Sequence, residues 1–284
     1  MKLNFKTLTT AALLALGMAS GANAGSVFLT GHDVDLHDGQ NGYDAVILDY
    51  LRGAGTGTAI AAASYRVGVI RSTGVGFVGG VLEGAPLWAG GVTQLDPSTV
   101  SAAAFATFLS GIDVMVVASN VDCGGCALTD ADSAALNAFA PEIATWFNAG
   151  GDIFGNSSAD LATYYNFLPA GAAAAGASIG GSSGFVCTAA GVAIGIDCDA
   201  GAGTSMINGF PTHNRFTSFA AAFTVFETRT VSGVTETISI GLRDGRIVDG
   251  GIVDGGTVPE PGSLALVGLG ALALGLSRRR AAAR

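Results

Sequence analysis

The chain has 284 residues, of which 12% are charged and 49% hydrophobic, with 44 glycines and a formal net charge of −9. Soluble proteins average about 25% charged residues and about 7% Gly, so this chain is poor in charge and rich in Gly. The acidic balance excludes nucleic-acid binding by phosphate neutralisation, and the apolar content excludes a disordered chain.

Met1 to Ala24 has the order of a secretory signal peptide. Lys2 and Lys6 give a positive start, Leu8 to Met18 is largely apolar, and Ala22-Asn23-Ala24 is an A-x-A cleavage site. The exported α/β domain is expected over residues 25–248. Val27-Phe28-Leu29 is a buried strand that stops at Thr30-Gly31. The next stretch, Gly31-His32-Asp33-Val34-Asp35-Leu36-His37-Asp38, holds two of the three histidines and three carboxylates. Oxygen-rich loops suit Ca²⁺, and His with Asp suits Zn²⁺ or Fe²⁺. His32, Asp33, Asp35 and His37 are therefore candidate ligands for a divalent metal; the alternative is a polar loop whose aspartates cap turns. Tyr43 to Leu51 is helical, and Val67 to Ile70 is a second strand flanked by Arg66 and Arg71, which are expected as surface charges.

Asp96 and Pro97 are placed as N-cap and first residue of a helix with Val100, Ala104, Phe108 and Leu109 on its apolar stripe. Val114 to Ala118 is β-branched and apolar, the pattern of a strand covered on both faces. Thr129 and Asp132 start a helix in capping-box fashion. Its stripe is Leu136, Phe139, Ile143, Trp146 and Phe147, Pro141 kinks or divides it, and Gly150-Gly151 ends it. Ile153-Phe154 opens the following strand, which completes a parallel βαβ unit. Residues 169–184 are a Gly/Ala/Ser-rich loop. Phe223 to Glu227 and Thr237 to Leu242 form a hairpin about Ser232-Gly233. The 249–257 stretch, with Asp-Gly-Gly repeated, is a flexible linker.

All four cysteines lie in the exported region. Cys123 and Cys126 form C-G-G-C, and Cys187 and Cys198 are eleven apart. An even count in an oxidising compartment favours disulfides, most simply two local ones, with a redox pair at Cys123/Cys126 as the alternative. Trp88 and Trp146 are candidates for stacking on sugar rings, Trp146 being better placed in the core.

The carboxyl end is just as patterned. Val258-Pro259-Glu260-Pro261 precedes an apolar stretch, Leu264 to Leu276, and then Ser277-Arg278-Arg279-Arg280. At 1.5 Å per residue the apolar run spans about 20 Å, short of a roughly 30 Å bilayer core. Arg278, Arg279 and Arg280 would stay cytoplasmic and retain the tail in the membrane. Val258 to Arg280 resembles the PEP-CTERM sorting signal of Gram-negative bacteria. The resemblance implies a transmembrane helix at about 263–277, a cytoplasmic tail at 281–284 and cleavage by exosortase near Pro259, Glu260 and Pro261. It further implies export by the secretion machinery and transient anchoring in the inner membrane. The destination is then the cell surface or an extracellular matrix of exopolysaccharide or biofilm. Loss of both ends leaves 7 basic and 21 acidic residues over Gly25 to Thr257, a net of −14 without a lysine. That surface favours neutral, cationic or metal-bridged partners.

A second resemblance covers the middle. The stretch from Asp113 through Leu128-Thr129, Ala149-Gly150-Gly151 and Phe154-Gly155 is similar to the class I glutamine amidotransferase-like fold, particularly its ThuA-like branch. Ile207-Asn208-Gly209-Phe210-Pro211 resembles the loop before that group's later strands. The likeness implies a three-layer flavodoxin-like domain with loops gathered at the strands' carboxyl ends. It also puts Ser157 of Gly155-Asn156-Ser157-Ser158-Ala159 at the nucleophile elbow. His213 is the downstream base candidate and Glu227 could orient it, but the family's His-x-Glu pair is absent. Function thus divides between a non-catalytic matrix module and an extracellular hydrolase that uses Ser157 and His213, or a metal near His32.

Overall fold

The β-branched and aromatic runs of the exported region become strands of one sheet in a computed structural model of the chain. It describes residues 25–37, 42–53, 60–73, 92–120, 127–158, 161–168, 175–198, 205–248 and 251–254. The compact unit that holds the sheet runs from Ala24 to Asp254. Cys123, Cys126, Asp38, Trp88 and the sorting tail with its expected transmembrane helix lie outside the described residues. Among the described residues no helix is long and apolar enough to cross a membrane.

In chain order the elements are β1 (Gly25–Thr30), α1 (Tyr43–Leu51), β2 (Val67–Ile70), β3 (Val92–Leu95), α2 (Ala102–Ser110) and β4 (Val114–Val117). There follow α3 (Asp130–Ala138), α4 (Ala140–Phe147), β5 (Asp152–Gly155), β6 (Ala175–Ser178), β7 (Phe185–Cys187) and α5 (Ala189–Ile194). The last four are β8 (Asn214–Ser218), β9 (Thr224–Val231), β10 (Val234–Val248) and β11 (Gly251–Asp254). β3, β2, β4, β5 and β1 lie side by side in that order and all run parallel. β10 continues the sheet antiparallel to β1, followed by β8 and β6. β9 also pairs with β10, and β7 with β9. The protein is a mixed α/β domain built on a central sheet.

Register assigns the two faces. Val27, Ile153, Met115 and Gly68 are paired neighbours across β1, β5, β4 and β2 and share one face. A Cβ on Gly68 would lie 2.6 Å from Phe108 and Ile112, so α2 and the turn after it cover that face. Phe28 points the other way, edge-on to Tyr43 and Tyr50 of α1 with centroids at 6.2 and 5.9 Å. Helices therefore cover both faces, which explains why β2 and β4, inside the parallel part of the sheet, are buried along their whole length, whereas the edge strand β3 exposes Thr93 and Gln94.

Thr129 caps α3 by accepting from Asp132 N at 3.2 Å. Pro141 divides the predicted helix, since α3 ends at Ala138 and α4 restarts with Phe139 as the shared cap. Trp146 is partly buried and packs against the core, close enough to the backbone that a Cβ on Gly151 would lie 2.1 Å from its ring. Ser232 and Gly233 have φ of 50° and 79°, and Val231 faces Val234 across them, the two-residue hairpin turn with both central residues left-handed.

Three expectations are corrected. Asp96 caps only a 3-10 turn, Pro97–Thr99. Val100 then turns extended and Ser101 caps α2 afresh, accepting from Ala104 N at 3.3 Å. The apolar residues α2 buries are Phe105 and Leu109, with Ala104 exposed. The 169–184 loop contains β6, whose Ala-Gly-Ala-Ser sequence has no hydrophobic pattern and forms a strand by backbone pairing with β8. Within the 249–257 linker, β11 pairs back on β10 from Gly245↔Asp254 to Val248↔Gly251. One of the two expected disulfides is present, Cys187–Cys198 with Cα atoms 5.6 Å apart, and it closes the segment that carries α5. The two flanking arginines are paired: Arg66 clamps Asp113 through two nitrogens at 3.0 and 2.7 Å, and Arg71 reaches Gln94 at 3.1 Å.

Candidate functional site

The chain leaves β1 at Thr30 and immediately meets the segment that leads into β8. His213 N donates to Gly31 O at 2.9 Å, and His32 pairs with Thr212 as an isolated antiparallel bridge. The approach is close enough that a Cβ on Gly31 would lie 1.9 Å from Asn214 O. We expect Gly31→Ala to push these backbones apart and to lower stability by about 3 kcal/mol or more, at the high end of single substitutions. Chemical denaturation of the variant measures it.

This crossing sorts the polar side chains into separate groups. His32 is fully buried, with Nδ1 2.9 Å from Thr212 Oγ1 and Nε2 3.3 Å from Glu227 Oε2. Glu227, equally buried on β9, accepts from Ser239 Oγ at 2.6 Å. Ser239 in turn lies 2.9 Å from Thr30 Oγ1 and 3.1 Å from Tyr43 Oη. Burial first, and the Glu227 charge second, holds the Tyr43 phenol well above its ordinary value. This network ties β1, α1, β9 and β10 together.

Asp33 points the opposite way. Its Oδ2 accepts from His37 Nε2 at 3.1 Å and from His213 Nε2 at 3.0 Å. The carboxylate is 3% exposed, whereas the two imidazoles are 35% and 31% exposed. Asp33 Oδ1 is buried without a hydrogen-bond partner. A carboxylate only accepts, so both rings present an Nε2–H to it. Phe210 lies beside His37, with ring centroids 6.2 Å apart. Asp35 belongs to neither group. It accepts from Ser119 N at 2.9 Å and from Ser119 Oγ, at the end of β4. Burial pushes its carboxyl up to about 6, against those hydrogen bonds.

The turn after β5 forms the next wall. Ser158 N donates to Asn214 Oδ1 at 2.9 Å, and Tyr165 Oη lies 2.8 Å from Asn156 O and 2.9 Å from Thr30 O. Ser157 is fully buried and its Oγ has no hydrogen-bond partner.

Of the four expected metal ligands only Asp33 and His37 come together; His32 turns to Glu227 and Asp35 to Ser119. Among the described residues no group of three or more His, Cys, Asp or Glu side chains is placed to hold a metal ion. The suggested catalytic set is not assembled either. His213 Nε2 is bonded to Asp33 rather than to Ser157 Oγ, and Glu227 serves His32 rather than His213. Asp33 with His213 and Glu227 with His32 are separated by 180 or more residues, so no local motif announces either pair.

Residues 257–280 match the PEP-CTERM protein-sorting motif, which implies export and exosortase processing of a membrane-anchored sorting tail. No curated protein and no solved structure matches the chain.

Proposed function

We propose that this is a protein of the cell surface or extracellular matrix, held briefly in the inner membrane by a helix at about 263–277 and released by exosortase near Pro259-Glu260-Pro261. Its α/β domain acts as a non-catalytic binding or structural module associated with exopolysaccharide or biofilm. The sorting motif at residues 257–280 carries this reading. The acidic, lysine-free exported region suits a neutral or cationic glycan. The half-exposed His37 and His213, with Phe210 beside His37, offer imidazole and aromatic faces at the carboxyl end of β1.

The domain's class is proposed as flavodoxin-like. In support, β2 to β5 stand in the order β3-β2-β4-β5, the flavodoxin-like 2-1-3-4. The fifth place is taken by β1 from the amino-terminal end. Fold of this kind hosts many activities and selects none.

The experiment is fractionation of the native host with His37→Ala/His213→Ala in the full chain. The variant is expected to be exported and processed but to leave the matrix fraction for the soluble medium; unchanged matrix association contradicts the binding face. A hydrolase is the second reading, favoured by one observation: Ser157 Oγ sits buried and without a partner on the turn after β5. Loss of a measured hydrolytic activity in Ser157→Ala would replace the module with the enzyme.

A further inference from the structure

The first residue of the exported region is already inside the fold. Gly25 is buried at the start of β1, pairs with Gly245, and has no room for a side chain: a Cβ would lie 2.0 Å from Gly151 O and 2.9 Å from Phe147 O. The compact unit begins at Ala24, one residue before it. Beside this spot is a buried carboxylate. Asp152, 5% exposed, accepts from Ser26 N at 2.6 Å and from Tyr65 Oη at 2.7 Å. Successive backbone nitrogens in extended chain are about 3.5 Å apart, which puts Gly25 N within roughly 6 Å of Asp152 Oδ1. Phe147 O, at the carboxyl end of α4, adds the negative end of a helix to the same corner.

In the uncut precursor Gly25 N is a neutral amide. Hydrolysis of the Ala24–Gly25 peptide bond by one water leaves a carboxylate on Ala24 and an amine on Gly25, which takes up a proton at neutral pH. We propose that signal-peptide removal completes this fold: the new Gly25 α-ammonium docks against the Asp152 carboxylate in a buried ion pair that the precursor lacks. The inference rests on cleavage after Ala24. It gives the cut a structural consequence, because the exported domain becomes more stable once it has left the translocation machinery. It also accounts for a glycine at the first mature position, where any Cβ would strike the carbonyls that line the socket.

The pairing sets a pH dependence whose sign is fixed. An α-amine has an ordinary pKa near 8, and a carboxylate partner raises it in the folded state. The added stability is therefore full below about pH 8 and is lost as pH rises through the raised value. Among the described side chains, the charged or titratable groups on this side of the domain are Tyr65, Asp113 with its partner Arg66, Arg52 at the end of α1 and Arg243 of β10. Burial and the Asp152 charge keep the Tyr65 phenol well above its ordinary value. Of these, Asp113 has its carboxyl held low by Arg66, although burial opposes this.

The test uses the full-length gene in the native host, with the exported proteins recovered and their first residue read by intact mass. A variant with one serine inserted between Ala24 and Gly25 moves the ammonium a residue outward while leaving every side chain in place. At pH 7 the parent is expected to have a folding equilibrium constant at least about tenfold above the insertion variant, the equivalent of a one-unit pKa shift. The gap should close by about pH 10, and Asp152→Asn should remove the parent's advantage if that variant folds. Equal denaturation midpoints at pH 7, or a gap that does not change with pH, would overturn the ion pair. A parent mass that does not begin at Gly25 would overturn the cleavage reading instead.

Discussion

Replacing Glu227 with alanine is expected to lower the unfolding free energy by about 3–5 kcal/mol, the cost of removing one partner of a buried charged or polar pair. Domains of ordinary stability have only about 5–15 kcal/mol in total. The loss is large because nothing can substitute for the carboxylate. Glu227 and His32 are both fully buried. Without Glu227 Oε2 the Ser239 hydroxyl loses its acceptor and His32 Nε2 loses the carboxylate 3.3 Å away, at a place where both His32 and Glu227 are fully buried. Ser239 also holds Thr30 and Tyr43, so the damage extends to the end of β1 and the start of α1. Glu227→Gln keeps a carbonyl acceptor and should cost less. Urea denaturation followed by tryptophan fluorescence measures both variants. A Glu227→Ala midpoint shift worth under about 1 kcal/mol would mean that the network is not what joins β9 to β1.

The second large effect is an inverted acid response. Most domains gain stability as their carboxylates ionise, but two aspartates here work the other way. Burial raises Asp35 to about 6 in spite of its Ser119 hydrogen bonds, and burial raises Asp44 to about 6 in spite of its bond to Ala45 N. In the unfolded chain both titrate near 3.9. Between about pH 4 and pH 6 the native state therefore holds protons that the unfolded state has released. Stability falls as pH rises through that window and is level by about pH 7. A displacement of about two units corresponds to about 3 kcal/mol for each group. Asp96 and Asp113 carry the ordinary sign: burial pushes them up, but the Thr73 and Ser98 bonds to Asp96 and the Arg66 bonds to Asp113 more than offset it. Their contribution is lost only as pH falls below about 4, outside the window. Denaturation midpoints at half-unit steps from pH 4 to pH 7 should decline in the parent and flatten by about half in Asp35→Asn. A parent curve that rises over the same range would contradict these two burials.

Local signals were legible where a few neighbouring residues decide the structure. Val67 to Ile70 and Tyr43 to Leu51 have the predicted bounds, because a short β-branched run and a nine-residue segment with Tyr43, Ile47, Leu48 and Leu51 at helical spacing leave few alternatives. The Thr129 cap, the Pro141 division and the Ser232-Gly233 turn likewise depend on residues within four positions of one another. β6 and β11 were not legible, since small or Gly-flanked segments become strands only when a partner strand is alongside. The site shows the same divide. The clustering of His32 to His37 behind the first strand was visible, but its division was not. His32 turns to Glu227, on a strand near the other end of the chain, and Asp33, also buried, turns to His213, which arrives beside Gly31. Only the three-dimensional crossing of β1 with the entry to β8 separates the two.

The central claim is that the chain is exported and cut at both ends, and the most direct test is the intact mass of the protein recovered from the extracellular fraction of its native host. The account predicts a chain that begins at Gly25 and ends near Pro259-Glu260-Pro261, without the apolar stretch and Arg278 to Arg280. A recovered mass that retains residues 262–284 would contradict exosortase release.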